Sequence, residues 1–221
     1  MADGMDPGRL EILDAMGVTA WLARGQPGTR SDSVPGLDWD ALEATVRDCR
    51  QCGLCKTRTQ TVFGTGDRKA RLMVIGEAPG AEEDRQGEPF VGRAGQLLNS
   101  MLAAAGFERN EVYIANVLKC RPPNNRDPGA LEASQCLPYL RRQIELVGPA
   151  AILCVGRIAA QRLLGREEPL ARMRGRVHEF GGVPVVVTYH PAYLLRSPTE
   201  KRKAWTDLIL ALGVLARGDR A

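Results

Sequence analysis

The stretch Leu72 to Gly80, LMVIGEAPG, decides the fold. Its first four residues form a continuous apolar run that ends at Gly76. A run without polar alternation is what a strand covered on both faces requires. Glu77 and then Pro79-Gly80 follow at once, so the chain leaves that strand through an acidic loop. Reading outward, the same logic repeats. A helical pattern covers Asp38 to Arg50 upstream and Gly92 to Ala105 downstream. Val112 to Ala115 reads as a second strand, Leu131 to Val147 as a long helix, and Ala151 to Val155 as a third strand. A helix over Ile158 to Leu164, a strand over Val183 to Thr188 and a helix over Glu200 to Leu215 complete the pattern. Strands alternating with helices predict an α/β domain with a four-stranded parallel sheet flanked by helices.

The chemically capable residues fall at the carboxyl ends of these strands. Glu77 follows the first, Asn116 the second and His190 the fourth. Open α/β sheets bind ligands along that edge. Three separate segments converging there carry more weight than any one motif.

Composition sets the outer bounds. The chain has 221 residues, 44% of them hydrophobic, enough for one well-buried domain. Residues 9–22 have a helical apolar pattern, and 25–36 are rich in Gly, Pro and Ser. Residues 1–36 are therefore expected to be an extension, partly flexible, and 37–221 the domain. No apolar run approaches the ~20 residues of a membrane span. The N-terminus lacks the basic start and apolar centre of a signal peptide, so a cytoplasmic protein without membrane contact is expected. The net charge of +4 is compatible with a polyanionic partner but does not decide one. Aromatics at 5% argue against a broad base-stacking platform. Neither a P-loop nor a G-x-S-x-G nucleophile motif is present, which weakens nucleotide-binding and serine-hydrolase readings.

Six cysteines in a reducing compartment point away from a disulfide framework. Cys49 and Cys52 form C-x2-C; Cys120 and Cys136 form a wider pair. Cys55 extends the first motif to C-x2-C-x2-C, so either adjacent pair could ligate. Cys154 lies inside an apolar strand and reads as a core residue. Iron–sulfur clusters are commonly held by four thiolates. A C-x2-C pair is also a zinc half-site, although no second half-site of that spacing follows. Spacing alone leaves both groups open.

Several stretches together resemble family 4 of the uracil-DNA glycosylases, the iron–sulfur type. They are Arg58-Thr59-Gln60 with Val62-Phe63-Gly64, GEAPGAEEDRQGEPFVGRAGQLLN (76–99), YIANVLKCRPPNNR (113–126), RGRVH (174–178) and HPAYLLR (190–196). The resemblance covers roughly residues 40–215. It implies a four-stranded parallel sheet and a [4Fe-4S] cluster on Cys49, Cys52, Cys120 and Cys136, with Cys55 a spare thiol. It also implies uracil-containing DNA, single- or double-stranded, as partner, a monomer, and hydrolysis of the N-glycosidic bond in base excision repair. A sister group traps its product covalently through a histidine on an inserted basic loop. Between Asn116 and Cys136 this chain has neither the insertion nor a histidine, so ordinary hydrolysis is expected. The competing reading is a non-catalytic iron–sulfur or zinc module that binds nucleic acid as an accessory to repair. It gives no reason for Phe90, Asn116 and His190.

Within the resemblance each site residue has an expected task. A base must leave the duplex before it can be cut. Phe90 is expected to stack on it, and Asn116 to pair with the uracil N3–H and O4. His190 is expected to donate to O2 as negative charge develops, a contribution of roughly 3–4 kcal/mol. His178, in a basic segment, is expected to be peripheral. Ala78 stands where better-known families carry the water-activating carboxylate or asparagine, so that role passes to Glu77, Glu83 or Asn125. Gly80 stands where another family uses a tyrosine to exclude the thymine methyl, and Glu83 is a substitute barrier. Leu194, or after it Leu195, is expected to enter the vacated base stack. Arg126, Arg196 and the Lys201-Arg202-Lys203 run suit phosphates. The cluster is expected to be structural, since hydrolysis moves no electrons.

Overall fold

The computed structural model describes residues 34–218. The expected helix at 9–22 and most of the Gly/Pro/Ser segment lie outside them. Helix α1 (Trp39–Arg47) opens the described chain, with the Asp38 carboxylate accepting from Ala41 N–H at 2.9 Å as its cap. Strands β1 (Thr65–Gly66) and β2 (Leu72–Gly76) follow, then α2 (Ala81–Gln86) and α3 (Arg93–Ala104). Next come β3 (Tyr113–Asn116), α4 (Ala130–Val147), β4 (Ala151–Val155) and α5 (Arg157–Leu164). The chain ends with α6 (Leu170–Met173), β5 (Val177–Phe180), β6 (Val183–Thr188), α7 (Pro191–Arg196) and α8 (Lys201–Gly218).

The sheet order is β1-β3-β2-β4-β6-β5. This corrects the four-stranded parallel sheet expected from the sequence: among the described residues the sheet has six strands and is mixed. β3, β2, β4 and β6 run parallel in its middle, and β1 and β5 close the edges antiparallel. The edge strands escaped the sequence reading for physical reasons. β1 is only two residues long. β5 has one face exposed and one buried, so it shows no continuous apolar run. It is joined to β6 by Gly181-Gly182, both at positive φ (58° and 83°), the backbone that a two-residue hairpin turn demands.

Successive side chains of each central strand point to opposite faces, and both faces are covered. Leu72 and Val74 pack with Leu98 and Leu102 of α3 and Leu208 and Ala211 of α8. Met73 and Ile75 pack on the other face with Leu140 and Ile144 of α4 and Ala159 and Leu163 of α5. All residues of β2, β3 and β4 are buried. Cys154 is one of these core residues. No described helix is long and apolar enough to cross a membrane.

From β2 the chain turns one way to β3, then crosses back over β2 to reach β4. Such a reversal opens a crevice at the carboxyl ends of the strands. Since Leu153 is fully buried at the centre of β4, Leu153→Ala is expected to cost about 2–5 kcal/mol. Denaturant unfolding checks this; a loss below 1 kcal/mol would contradict the packing.

Candidate active site

The crevice is a cavity of about 520 Å³. The loop after β2 lines it with Glu77, Ala78, Pro79, Gly80 and Glu83; Phe90 and Ala94 come from the entry to α3. Asn116, Pro122, Asn125 and Arg126 come from β3 and the segment beyond it, and His190, Ala192, Tyr193 and Arg196 from α7 and its cap. The acidic loop, the strand end and the histidine segment therefore do meet.

Register builds one wall. Gly76 pairs with Asn116 across the parallel β2/β3 ladder. A Cβ on Gly76 would stand 2.4 Å from Asn116 Oδ1 and 2.7 Å from the Phe90 ring. A second glycine does the same from below: a Cβ on Gly95 would stand 1.8 Å from the Phe90 carbonyl. Phe90 itself is held at φ 55°, a strained backbone for an aromatic residue. Asn116 is 2% exposed, and its Oδ1 is buried with no hydrogen-bond partner among the described residues. An orphaned buried acceptor costs about 1–3 kcal/mol, and a ligand donor would remove that cost.

His190 caps α7. Its Nδ1 accepts from the Ala192 N–H at 3.1 Å. A nitrogen that accepts carries no proton, so the neutral ring bears its hydrogen on Nε2. Phe90 stacks on the ring at 5.6 Å between centroids and 29° between planes. Burial lowers the His190 pKa to about 4; the Arg196 cation pushes the same way, and Glu83 opposes both.

The polar candidates for water activation separate. Glu83 accepts from Gly80 N–H at 3.1 Å through one oxygen and from Val91 and Gly92 N–H at 3.0 and 3.3 Å through the other. It ties the loop after β2 to the start of α3. Asn125 Oδ1 accepts from Arg121 Nε at 2.8 Å. Asn124 and Asn125 both sit at positive φ, a conformation asparagine tolerates well. Glu77 accepts no side-chain hydrogen bond among the described residues. Burial raises its pKa to about 7; Asp127 adds to the rise, and Arg157 and Arg162 oppose it.

A second, small cavity is lined by Cys49, Cys52, Cys55, Cys120 and Cys136. None of these forms a disulfide. Three of the sulfurs receive donors: Cys120 from Arg58 NH1 at 2.9 Å, Cys136 from Lys119 N–H at 3.2 Å, and Cys49 from the Tyr139 hydroxyl at 3.3 Å. Donors aimed at sulfur favour the thiolate, the form that binds metal. As free thiols, Cys52, Cys120 and Cys136 are all shifted upward chiefly by burial, Cys136 to about 12. Among the described residues no three His, Cys, Asp or Glu side chains converge as ligands of a single ion. The sulfurs surround a space rather than a point.

Residues 63–211 match the uracil DNA glycosylase superfamily. A type-4 uracil-DNA glycosylase of Archaeoglobus fulgidus is 45% identical over 176 residues, 76% of this chain and 88% of that protein. Those of Pyrobaculum aerophilum and Thermotoga maritima are 42% and 44% identical, over 80% and 72% of this chain and 94% and 83% of theirs. The chain belongs to the uracil DNA glycosylase superfamily.

For a uracil DNA glycosylase fold, the cavity at the strand ends gathers every catalytic and base-binding candidate singled out in the sequence. Of the candidates for DNA contact, Leu194, Leu195, Lys201, Arg202 and Lys203 do not line it. Leu194 is 1% exposed on a helix that packs on α3, so the expected wedge is buried in this structure. Leu195 and Tyr193 are exposed instead, at 37% and 38%. Tyr193 lines the cavity and stacks on Tyr189 at 5.1 Å. Sequence reasoning missed Tyr193, although it lies inside HPAYLLR; only the turn of α7 shows which of its side chains faces outward. His178 lies on edge strand β5, away from the cavity, buried with Nε2 2.6 Å from the Met173 carbonyl. Arg126 lines the cavity but grips Glu132 through both guanidinium nitrogens, at 2.9 and 2.6 Å.

The His190 geometry is directly measurable. A ¹H–¹⁵N titration is expected to show the Nε2–H tautomer from pH 8 downward, with protonation only near pH 4. Protonation near the ordinary 6.5 would contradict it.

Proposed function

We propose that this chain removes uracil from DNA by hydrolysing the N-glycosidic bond, leaving an abasic site and free uracil in base excision repair. The orphaned Asn116 Oδ1 carries the reading, because it is a buried acceptor awaiting a donor beside an aromatic face and an N–H. Uracil offers N3–H at the matching position. Cytosine offers an acceptor there and would leave the orphan unpaired, about 1–3 kcal/mol worse. A non-catalytic module has no use for this arrangement.

The extruded base lies against Phe90, with N3–H on Asn116 and O2 on His190 Nε2–H. The C1′–N1 bond breaks and its electron pair passes to the base. His190 stabilises the developing charge as a neutral donor and keeps its proton. Burial and Arg196 both disfavour the imidazolium, so the donor does not depend on pH near neutrality. Water then adds to C1′ and surrenders a proton. Glu77 is the acceptor we assign: its carboxylate is free of protein donors, and its raised pKa makes it a competent base near pH 7. Glu83 acts as the clamp of the pocket loop, and beside Gly80 it narrows the space where a thymine methyl would sit. Asn125 shapes the cavity rim. DNA phosphates meet Arg196 and the Lys201-Arg202 helix start, with Leu195 or Tyr193 entering the gap left by the base.

In single-turnover assays on a uracil oligonucleotide, His190→Ala is expected to lower excision about 10²–10³-fold, with DNA binding retained. Glu83→Ala should cost far less. Wild-type activity should fall as pH drops below about 7, because the base form of Glu77 is then lost, and Glu77→Gln should lack that limb. A near-wild-type His190→Ala beside a dead Glu77→Gln would make water attack dominant and reverse the assignment.

Cys49, Cys52, Cys120 and Cys136 fit a [4Fe-4S] group: they are free, line one cavity, and three receive N–H or O–H donors. Bound there, the group supplies no step of the hydrolysis and acts as a cross-link. Iron and sulfide assays are expected to give about four irons per chain. Cys120→Ser or Cys136→Ser should lose them, and Cys55→Ser should keep them. A zinc-loaded, colourless and active protein would refute this.

A further inference from the structure

Lys119 stands between the base pocket and the cysteine cavity, and its side chain is 1% exposed. Nζ donates to the backbone carbonyl of Asn116 at 2.9 Å and to Gln143 Oε1 at 2.6 Å. Among the described residues no carboxylate pairs with it. An ammonium held only by neutral carbonyl groups in a dry interior is costly unless negative charge stands close by. The candidates are sulfurs. Lys119 lines the cysteine cavity, it precedes Cys120, and its own N–H donates to Cys136 Sγ. Neutral thiols would not compensate the charge. Four thiolates on an iron–sulfur group would.

The partners of Lys119 also run in a chain. Gln143 lies on α4, the helix that carries Cys136. Its Nε2 donates to the Phe63 carbonyl at 3.0 Å and the Tyr113 hydroxyl at 3.2 Å. The residue that places the orphan acceptor is thus gripped by a cation that is itself anchored to a cysteine-bearing helix.

We infer that Lys119 is the counter-cation of the cysteine-held group and the strut through which that group positions Asn116. The inference rests on the proposed uracil pocket and iron–sulfur centre. Lys119 touches neither substrate nor reacting atoms; it is a positioning residue. Its loss should loosen recognition of the base and leave the DNA-contact surface intact.

The test uses full-length protein purified with its iron, as wild type, Lys119→Met and Gln143→Met. Three quantities are read: inhibition by free uracil, affinity for an abasic-site oligonucleotide, and the cluster midpoint on a DNA-modified electrode. In Lys119→Met, uracil inhibition should weaken at least about tenfold, abasic-DNA affinity should stay within about twofold, and the midpoint should move negative, since a nearby positive charge favours the reduced cluster. Gln143→Met keeps the charge, so its midpoint should match wild type while uracil inhibition weakens. If Lys119→Met fails to fold, Gln143→Met decides: unchanged uracil inhibition there overturns the strut. An iron-replete Lys119→Met with wild-type midpoint and uracil inhibition overturns both parts. A wild-type protein that lacked iron or released no uracil would instead overturn the underlying reading, and the outcomes separate on that control.

Discussion

The pocket depends on one pairing, Gly76 against Asn116 at the ends of two parallel strands. Parallel strands buried on both faces hold their register firmly, because a slip by one residue would turn each side chain to the opposite face. That register sets the Asn116 amide over the one residue type that leaves room for it. The same absent Cβ admits the Phe90 ring. The cost is visible in a strained Phe90 backbone and in a buried acceptor that has no donor among the described residues. Such costs persist where the surrounding structure over-determines them.

Burial acts in opposite directions on the two titrating groups of the cavity. It drives His190 down to about 4 and Glu77 up to about 7. In each case the neutral form is favoured: the imidazole is left uncharged at neutral pH, and the carboxylate, still populated near pH 7, is made a stronger base. A neutral imidazole can donate to a developing anion without carrying a cation into a dry site. A carboxyl with a pKa near the working pH can take a proton from water. On the proposed reading Glu77 takes the role that Ala78 cannot, lining the cavity one residue earlier with no protein donor on its carboxyl among the described residues.

What could be read from the sequence follows from where physical signals are local. The central strands announce themselves as continuous apolar runs, and the site residues as breaks at their ends. Edge strands β1 and β5 carry no such signal, because one is too short and the other is half exposed. The Gly181-Gly182 turn was the available clue to the second. Leu194 shows the opposite failure. Within HPAYLLR, composition does not distinguish the buried leucine from the residues that face out; only helix phase does, and α7 is too short for periodicity to fix it. Glu83 reads in the sequence as a candidate water-activating carboxylate because its contacts, three backbone N–H groups from two segments, exist only in the fold.

The cysteine centre sits on the Asn116 side of the cavity and not the His190 side, and the secondary structure explains why. His190 is positioned by a helix cap, a stacked ring and the close passage of Gly156, whose Cβ would stand 3.1 Å from that of His190. The chain just after Asn116 is held by Val117 and Leu118 N–H on the end of β2 and by Lys119 on the Asn116 carbonyl, but beyond Lys119 it is irregular. From Val117 to Gly129 it carries only one short helical turn, Pro123–Asn125, with two asparagines at positive φ. Yet this segment supplies Pro122, Asn125 and Arg126 to the cavity. Ordering so irregular a loop costs conformational entropy that few backbone hydrogen bonds offset. On the proposed iron–sulfur reading, a group tying Cys120 to Cys136, and both to Cys49 and Cys52 beyond the end of α1, would restrict this irregular wall of the pocket.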